Sequence, residues 1–262
     1  MVTSTRTPCP GSRVGVPALV ALLLLSGCSL LGGLFGGRPS TLPPAAKLYE
    51  EGESALLRGK YDAARDSLTK IVERHPDSDL VPQARLLVGE AYYRAGEHDK
   101  AVREFEQFMT LFPSHPVADL AQYRLARSYF DQMPTLERDQ AITAKALAAF
   151  KTLIKQYPES RYAPDAIAKI EACRLRLAQK ELWIAAYYIR QGKLEAALPR
   201  YDAVLKDYGR TAAAPQALFE KADTLVRLGR MDEATTALRR LVEEHPGSEW
   251  SRRARQRHAQ LL

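Results

Sequence analysis

Side chains able to make or break bonds are few in this 262-residue chain, and their spacing does not assemble a catalytic site. The histidines are His75, His98, His115, His245 and His258; two of them, His75 and His245, stand directly before the repeat prolines Pro76 and Pro246, a turn position. No His-Glu-x-x-His or Gly-x-Ser-x-Gly pattern occurs to hold a metal or present a nucleophile. Gly59-Lys60 follows Gly52 at a distance of seven residues, and Tyr61 stands where a phosphate-binding loop needs Ser or Thr. The carboxylates Glu50, Glu51 and Glu53 read as the first turn of a helix, complementing its positive pole. The expectation is a protein that is not an enzyme, with no catalytic residue, no metal and no cofactor.

The three cysteines, Cys9, Cys28 and Cys173, form no Cys-x-x-Cys pair and no disulfide framework. Cys173 lies on an apolar stripe and reads as a small buried hydrophobe rather than a nucleophile. Cys28 is different. Arg6 and Arg13 precede the apolar run "VGVPALVALLLL" (14–25), which falls short of the roughly twenty residues that cross a bilayer. A basic start, a short apolar core and small residues at its end describe a secretory signal. The end, Leu25-Ser26-Gly27-Cys28, resembles the lipobox of bacterial lipoproteins. That resemblance implies removal of residues 1–27 and acylation of Cys28 on its thiol and new amino group. An ordinary cleaved signal with a chance cysteine is the alternative. Several acyl chains, at about 0.8 kcal/mol per buried CH2, hold a protein on a membrane lastingly. Ser29 occupies the place where an aspartate often retains such lipoproteins in the inner membrane, so outer-membrane lipid is the expected anchor, with the chain facing the periplasm. Residues 28–44, rich in Gly and Pro, read as a flexible tether of roughly 50 Å at full stretch.

Hydrophobic residues at 46% and charged residues at 26% are ordinary for a folded protein. The formal charge is +7 and the pI about 9.3, partly through the C-terminal run "SRRARQRH" (251–258). Such a run can meet nucleic acid or an anionic membrane; it also suits a solvated helix end, where cations oppose the negative pole. No aromatic residues interleave with these arginines as a stacking platform requires, so no nucleic-acid partner is expected.

From Ala45 onward the apolar periods are helical and broken by Gly and Pro. Gly59, Gly96, Gly192 and Gly229 occupy one slot of a repeat, spaced 37 residues apart within each pair. Seven residues earlier stand Gly52, Gly89, Ala185 and Ala222; five later, Ala64, Ala101, Ala197 and Ala234; nine later, Leu68, Phe105, Tyr201 and Leu238; seventeen later, Pro76, Pro113, Gly209 and Pro246. The early small residue lets helix A approach helix B of a hairpin, and the glycine ends helix A at positive φ. The alanine and the large residue share one face of helix B, and the proline stops it. A third copy uses Tyr123, Ala126 and Tyr129, then Ala146, Phe150, Ile154 and Pro158, with an insertion containing "MPTLERDQ" (133–140). A run free of Gly and Pro, 165–191, predicts one long helix. It carries two apolar stripes, Ile167, Ile170, Cys173, Leu177, Ile184 and Tyr188 on one side and Leu175, Leu182, Ala186 and Ile189 on the other, as a spine joining two halves would.

This pattern resembles the tetratricopeptide repeat. The predicted fold is all-α, a superhelical array of about five tetratricopeptide-like hairpins, with repeats one to three in 45–162 and the long helix with repeats four and five in 163–262. The stretches "RDQ" (138–140), "YPESRYAPDA" (157–166) and "RLAQKELWIAAYYIRQGKLEAALPRYDAVLKDY" (176–208) closely resemble the BamD (ComL) family of outer-membrane β-barrel assembly lipoproteins. The resemblance implies a non-catalytic scaffold whose N-terminal repeats meet unfolded outer-membrane proteins. Its C-terminal repeats would bind the periplasmic domains of BamA, alongside other assembly lipoproteins. It places Arg200 at the BamA contact. Gly209 departs from the family's proline, which is expected to loosen that turn. A tether for peptidoglycan enzymes and a DNA-uptake component are the rival readings.

Helix A of each repeat lines the inside of such an array. That puts Tyr49, Glu53, Glu90, Tyr93, Tyr123, Arg127 and Phe130 in a groove. Rings beside paired charges suit an extended peptide with an aromatic end. The competing role for these rings is packing between neighbouring helices.

Overall fold

The computed structural model describes residues 43–259; the signal segment, Cys28 and all but the end of the tether lie outside the described residues. Residues 44–262 form one compact unit. Its described helices pair as α1 (Ala45–Leu57) with α2 (Tyr61–Arg74), α3 (Val81–Arg94) with α4 (His98–Leu111) and α5 (Ala118–Phe130) with α6 (Ala141–Gln156). They continue as α7 (Ala163–Arg190) with α8 (Leu194–Asp207), α9 (Ala214–Arg227) with α10 (Met231–Glu244), and a closing α11 (Glu249–Ala259). No strand occurs among the described residues. The architecture is the expected tetratricopeptide array.

Each slot of the repeat does the work its residue type suggests. Gly59, Gly96, Gly192 and Gly229 all have φ between 72° and 77°. Around each, two backbone bonds close the helix end: Gly59 N–H donates to Leu56 O (3.2 Å) and Lys60 N–H to Ala55 O (2.9 Å), and the same pair recurs at the other three. Lys60 is at once the end of this motif and the N-cap of α2, so the two helices are joined with almost no slack. The buried small residue then faces the buried large one. A Cβ on Gly52 would lie 2.5 Å from Leu68 Cγ, and one on Gly89 would lie 2.6 Å from Phe105 Cε1. Leu68, Phe105 and Phe150 are fully buried, with Tyr201 and Leu238 nearly so.

Successive A-helices (α1, α3, α5, α7, α9, α11) touch one another, whereas successive B-helices do not among the described residues. The array therefore curves toward its A-helices, which form the inner wall. The long α7 is the expected spine: its first half packs on α5 and α6 through Ala166 and Ile170, its second on α8 through Ala178, Leu182 and Ala185. The insertion is pinned to it, since Lys180 Nζ donates to Leu136 O (2.7 Å) and Glu137 O (3.2 Å).

Three expectations need correction. Glu50, Glu51 and Glu53 are not in a first turn: Pro44 starts α1 at Ala45, so these exposed acids fall in the second and third turns. Ile167 is 55% exposed, because the buried row of α7 runs through Ala166, Ile170 and Cys173, and residue 167 is turned about 100° away. Gly209 does not loosen its turn. Thr211 N–H reaches Tyr208 O at 2.9 Å, as Ser78 reaches His75 at 3.0 Å, and a Cβ at 209 would lie 2.5 Å from Leu205 O.

Gly96→Ala should lower stability by about 1 kcal/mol, the cost of an L side chain at positive φ. Gly247→Ala, with open space around its Cβ and no positive φ, serves as the control. Urea titration followed by helical circular dichroism measures both, and equal midpoints for the two variants would contradict the assigned turn.

Candidate functional site

The inner wall of the first three repeats is built from side chains one helical turn apart that reach across to the next A-helix. Glu90, buried on α3, receives Arg94 Nε of its own helix at 2.7 Å and Arg124 Nη2 of α5 at 3.1 Å. The Arg124 guanidinium lies over the Tyr93 ring, 5.2 Å from its centre. Tyr93 donates its hydroxyl to Asp131 Oδ2 at 2.5 Å, and Arg127 Nη2 stands 3.5 Å from the other oxygen of Asp131. Arg127 Nη1 donates to Tyr123 Oη (3.3 Å), and Tyr123 donates in turn to Asp165 Oδ2 of α7 (2.8 Å). Charge and hydroxyl thus alternate across α3, α5 and α7 in one network.

Burial, followed by the bond to Asp131, pushes the Tyr93 hydroxyl up to about 12, so it remains a neutral donor at physiological pH. Tyr123 is raised for the same two kinds of reason, and Tyr49 by burial and then by the charge of Glu53. Tyr123 also stacks on Tyr162 with ring centres 4.6 Å apart. Phe130 meets Phe150 edge-on at 6.0 Å, with Lys169 above it at 4.7 Å.

The seven groove candidates divide by burial. Tyr123 and Glu90 are 8% and 7% exposed and belong to the wall's interior. Tyr49, Tyr93, Arg127 and Phe130 are half-buried, and Glu53 is exposed. Glu53 and Glu90 line a cavity of about 230 Å³ between α1, α3 and α5, together with Leu57, Leu87, Arg94 and Arg124. Leu57 is 76% exposed at its edge. Sequence reasoning passed over Arg94 and Asp131, although each stands four residues after Glu90 and Arg127, a legible helical pair. Arg124 and Asp165 had no such signal, because their partners are on other helices.

Arg200, on α8, is turned to α7: its Nη1 lies 3.2 Å from Glu181 Oε2, and that bond raises its pKa further. Chemically the inner wall offers donors, acceptors and apolar area. Among the described residues no three of His, Cys, Asp and Glu could hold a metal ion. Cys173 is fully buried, 3.9 Å from Met133 Sδ, and burial pushes its thiol up to about 11. No described helix is long and apolar enough to cross a membrane.

The family model described as YfiO, outer membrane lipoprotein, matches residues 43–239. The chain belongs to this family. Its relatives include the protein named outer membrane protein assembly factor BamD in Caulobacter vibrioides, 32% identical over 240 residues, covering 90% of this chain and 79% of the relative. The proteins of that name in Rickettsia prowazekii and Vibrio cholerae are each 30% identical, covering 87% of this chain in both cases and 93% and 96% of the relatives. Among solved structures, the TPR2AB-domain:pHSP90 complex of yeast Sti1 is similar at 16% identity, over 83% of this chain and 82% of its own, with a TM-score of 0.44.

A folded chain whose only cysteine is Cys173 should react with a thiol reagent at pH 8 at least about a hundredfold more slowly than the same chain in denaturant, since both access and thiolate are suppressed. Comparable rates in the two conditions would place Cys173 at the surface.

Proposed function

We propose that the chain is a non-catalytic scaffold of outer membrane protein assembly, held at the outer membrane by acylated Cys28 and facing the periplasm. Membership of the family, with near full-length relatives all named as assembly factors, is the observation that carries this reading. It favours assembly over a peptidoglycan-enzyme tether or a DNA-uptake role.

Residues 45–162 receive unfolded barrel precursors. The half-buried Tyr93, Arg127 and Phe130 offer ring faces and donors, with the exposed Glu53 and the cavity-edge Leu57 beside them. The rings bury the apolar side chains of an extended strand, and the network behind them holds the donors in place before the peptide arrives. That preorganisation lowers the ordering cost of binding. Residues 163–262 face the machinery, through Arg200 toward the periplasmic domains of BamA and through neighbouring surface toward other assembly lipoproteins. Arg200 is 40% exposed even while paired with Glu181, so a partner carboxylate can share its guanidinium.

Two variants separate these halves. Tyr93→Ala with Phe130→Ala should weaken binding of a barrel-precursor C-terminal peptide by about tenfold or more, the scale of one lost aromatic contact. Arg200→Ala should leave that binding unchanged and reduce recovery of BamA from detergent-solubilised envelopes. Unaltered peptide affinity in the first variant, at equal helical content, removes the groove; unaltered BamA recovery in the second removes the Arg200 contact.

A further inference from the structure

The inner wall continues through α7, α9 and α11, and one position in it breaks the pattern of the others. Directly after the buried small residue of each A-helix comes a charge: Glu53 after Gly52, Glu90 after Gly89, Arg127 after Ala126 and Asp223 after Ala222. In repeats two and three that charge pairs with the residue four further on, Glu90 with Arg94 and Arg127 with Asp131. In repeat four the position is Ala186, and Arg190, four further on, has no acid one turn before it on its own helix.

A cavity of about 360 Å³ opens beside Ala186, the size at which pockets begin to hold ligands. Tyr201, Phe219 and Trp250 line its apolar side, the last two packed together with ring centres 5.4 Å apart. Arg190 and Arg227 line it from adjacent helices, and among the described residues neither forms an ion pair. Both are exposed and sit in a last helical turn, where their charge opposes the negative pole, and that use leaves the guanidinium donors free to meet a ligand. Two acids, Glu220 and Asp223, line the cavity as well, Asp223 four residues before Arg227. Glu220 accepts a bond from Gln216 at 2.8 Å and is raised by burial, and Asp223 is not free.

We propose that this cavity is a second peptide-binding site, specific for a segment in which an aromatic side chain is followed closely by a carboxylate. The ring enters above Ala186 against Phe219 and Trp250, and the carboxylate takes the two unpaired guanidiniums. The assignment rests on repeats four and five alone and is independent of the N-terminal groove.

The full chain supplies its own reporter, because Trp183 and Trp250 are its two tryptophans and Trp183→Phe leaves only the one in the cavity. In that background, the capped peptide Gly-Ser-Phe-Glu-Ser-Gly should change Trp250 emission saturably. Ala186→Glu supplies the acid the other repeats carry, pairs Arg190 and fills the opening, and should weaken binding by about tenfold or more. Arg190→Ala and exchange of the peptide's Glu for Gln should each do the same, whereas Tyr93→Ala should change nothing. Absence of saturable change, full binding in Ala186→Glu at equal helical content, dependence on Tyr93, or tighter binding of a peptide with Lys in place of its Glu would each overturn the proposal.

Discussion

Within each hairpin a residue with almost no side chain is pressed against a large buried one, and the rest of the structure is arranged around that contact. At Gly52 and Gly89 the approach is so close that a single added carbon would collide with Leu68 or Phe105. Such contact sets how near the two helices lie, and the left-handed glycine with its two backbone bonds sets where the first one stops. Repeating both devices places every A-helix against the next. The inner wall is a consequence of that spacing rather than of any contact made along the groove itself.

The wall is rigid for a second reason. Its charges are largely spent on each other: Glu90 is shared by two arginines, Asp131 by Tyr93 and Arg127, and Tyr123 is fastened to the next repeat through Asp165. A surface whose polar groups are already oriented loses little entropy on meeting a flexible chain. That suits a scaffold for unfolded polypeptides. The insertion at 133–140 is tied in turn to Lys180 of α7, the helix that leads into the C-terminal repeats.

Most of the fold was legible in the sequence because a repeat states its rules several times. Gly59, Gly96, Gly192 and Gly229 each announced one helix end, and the large apolar residues nine positions later each announced one core. Where a rule had a single instance, reading it from spacing went astray. Ile167 looked like part of a stripe but stands one residue off the buried row, and Gly209 looked slack although its turn closes with the same backbone bond as the proline-bearing turn at His75. The start of α1 was set by Pro44 and not by the acids that follow it.

The sequence by itself determined the helix pairs, their order and their family, because helix ends and buried faces are local properties encoded at fixed intervals. Only the tertiary structure decided which groove residues face outward. Tyr123 shares a slot with half-buried Tyr49 and Glu90 one with exposed Glu53, yet stacking on Tyr162 and pairing with Arg124 draw them into the wall. The same holds for the hollow over Ala186: the alanine is visible in the chain, but the empty space needs Phe219, Tyr201 and Trp250 from three other helices to enclose it. Burial and cavity shape depend on neighbours far apart in sequence, and no interval along the chain specifies them.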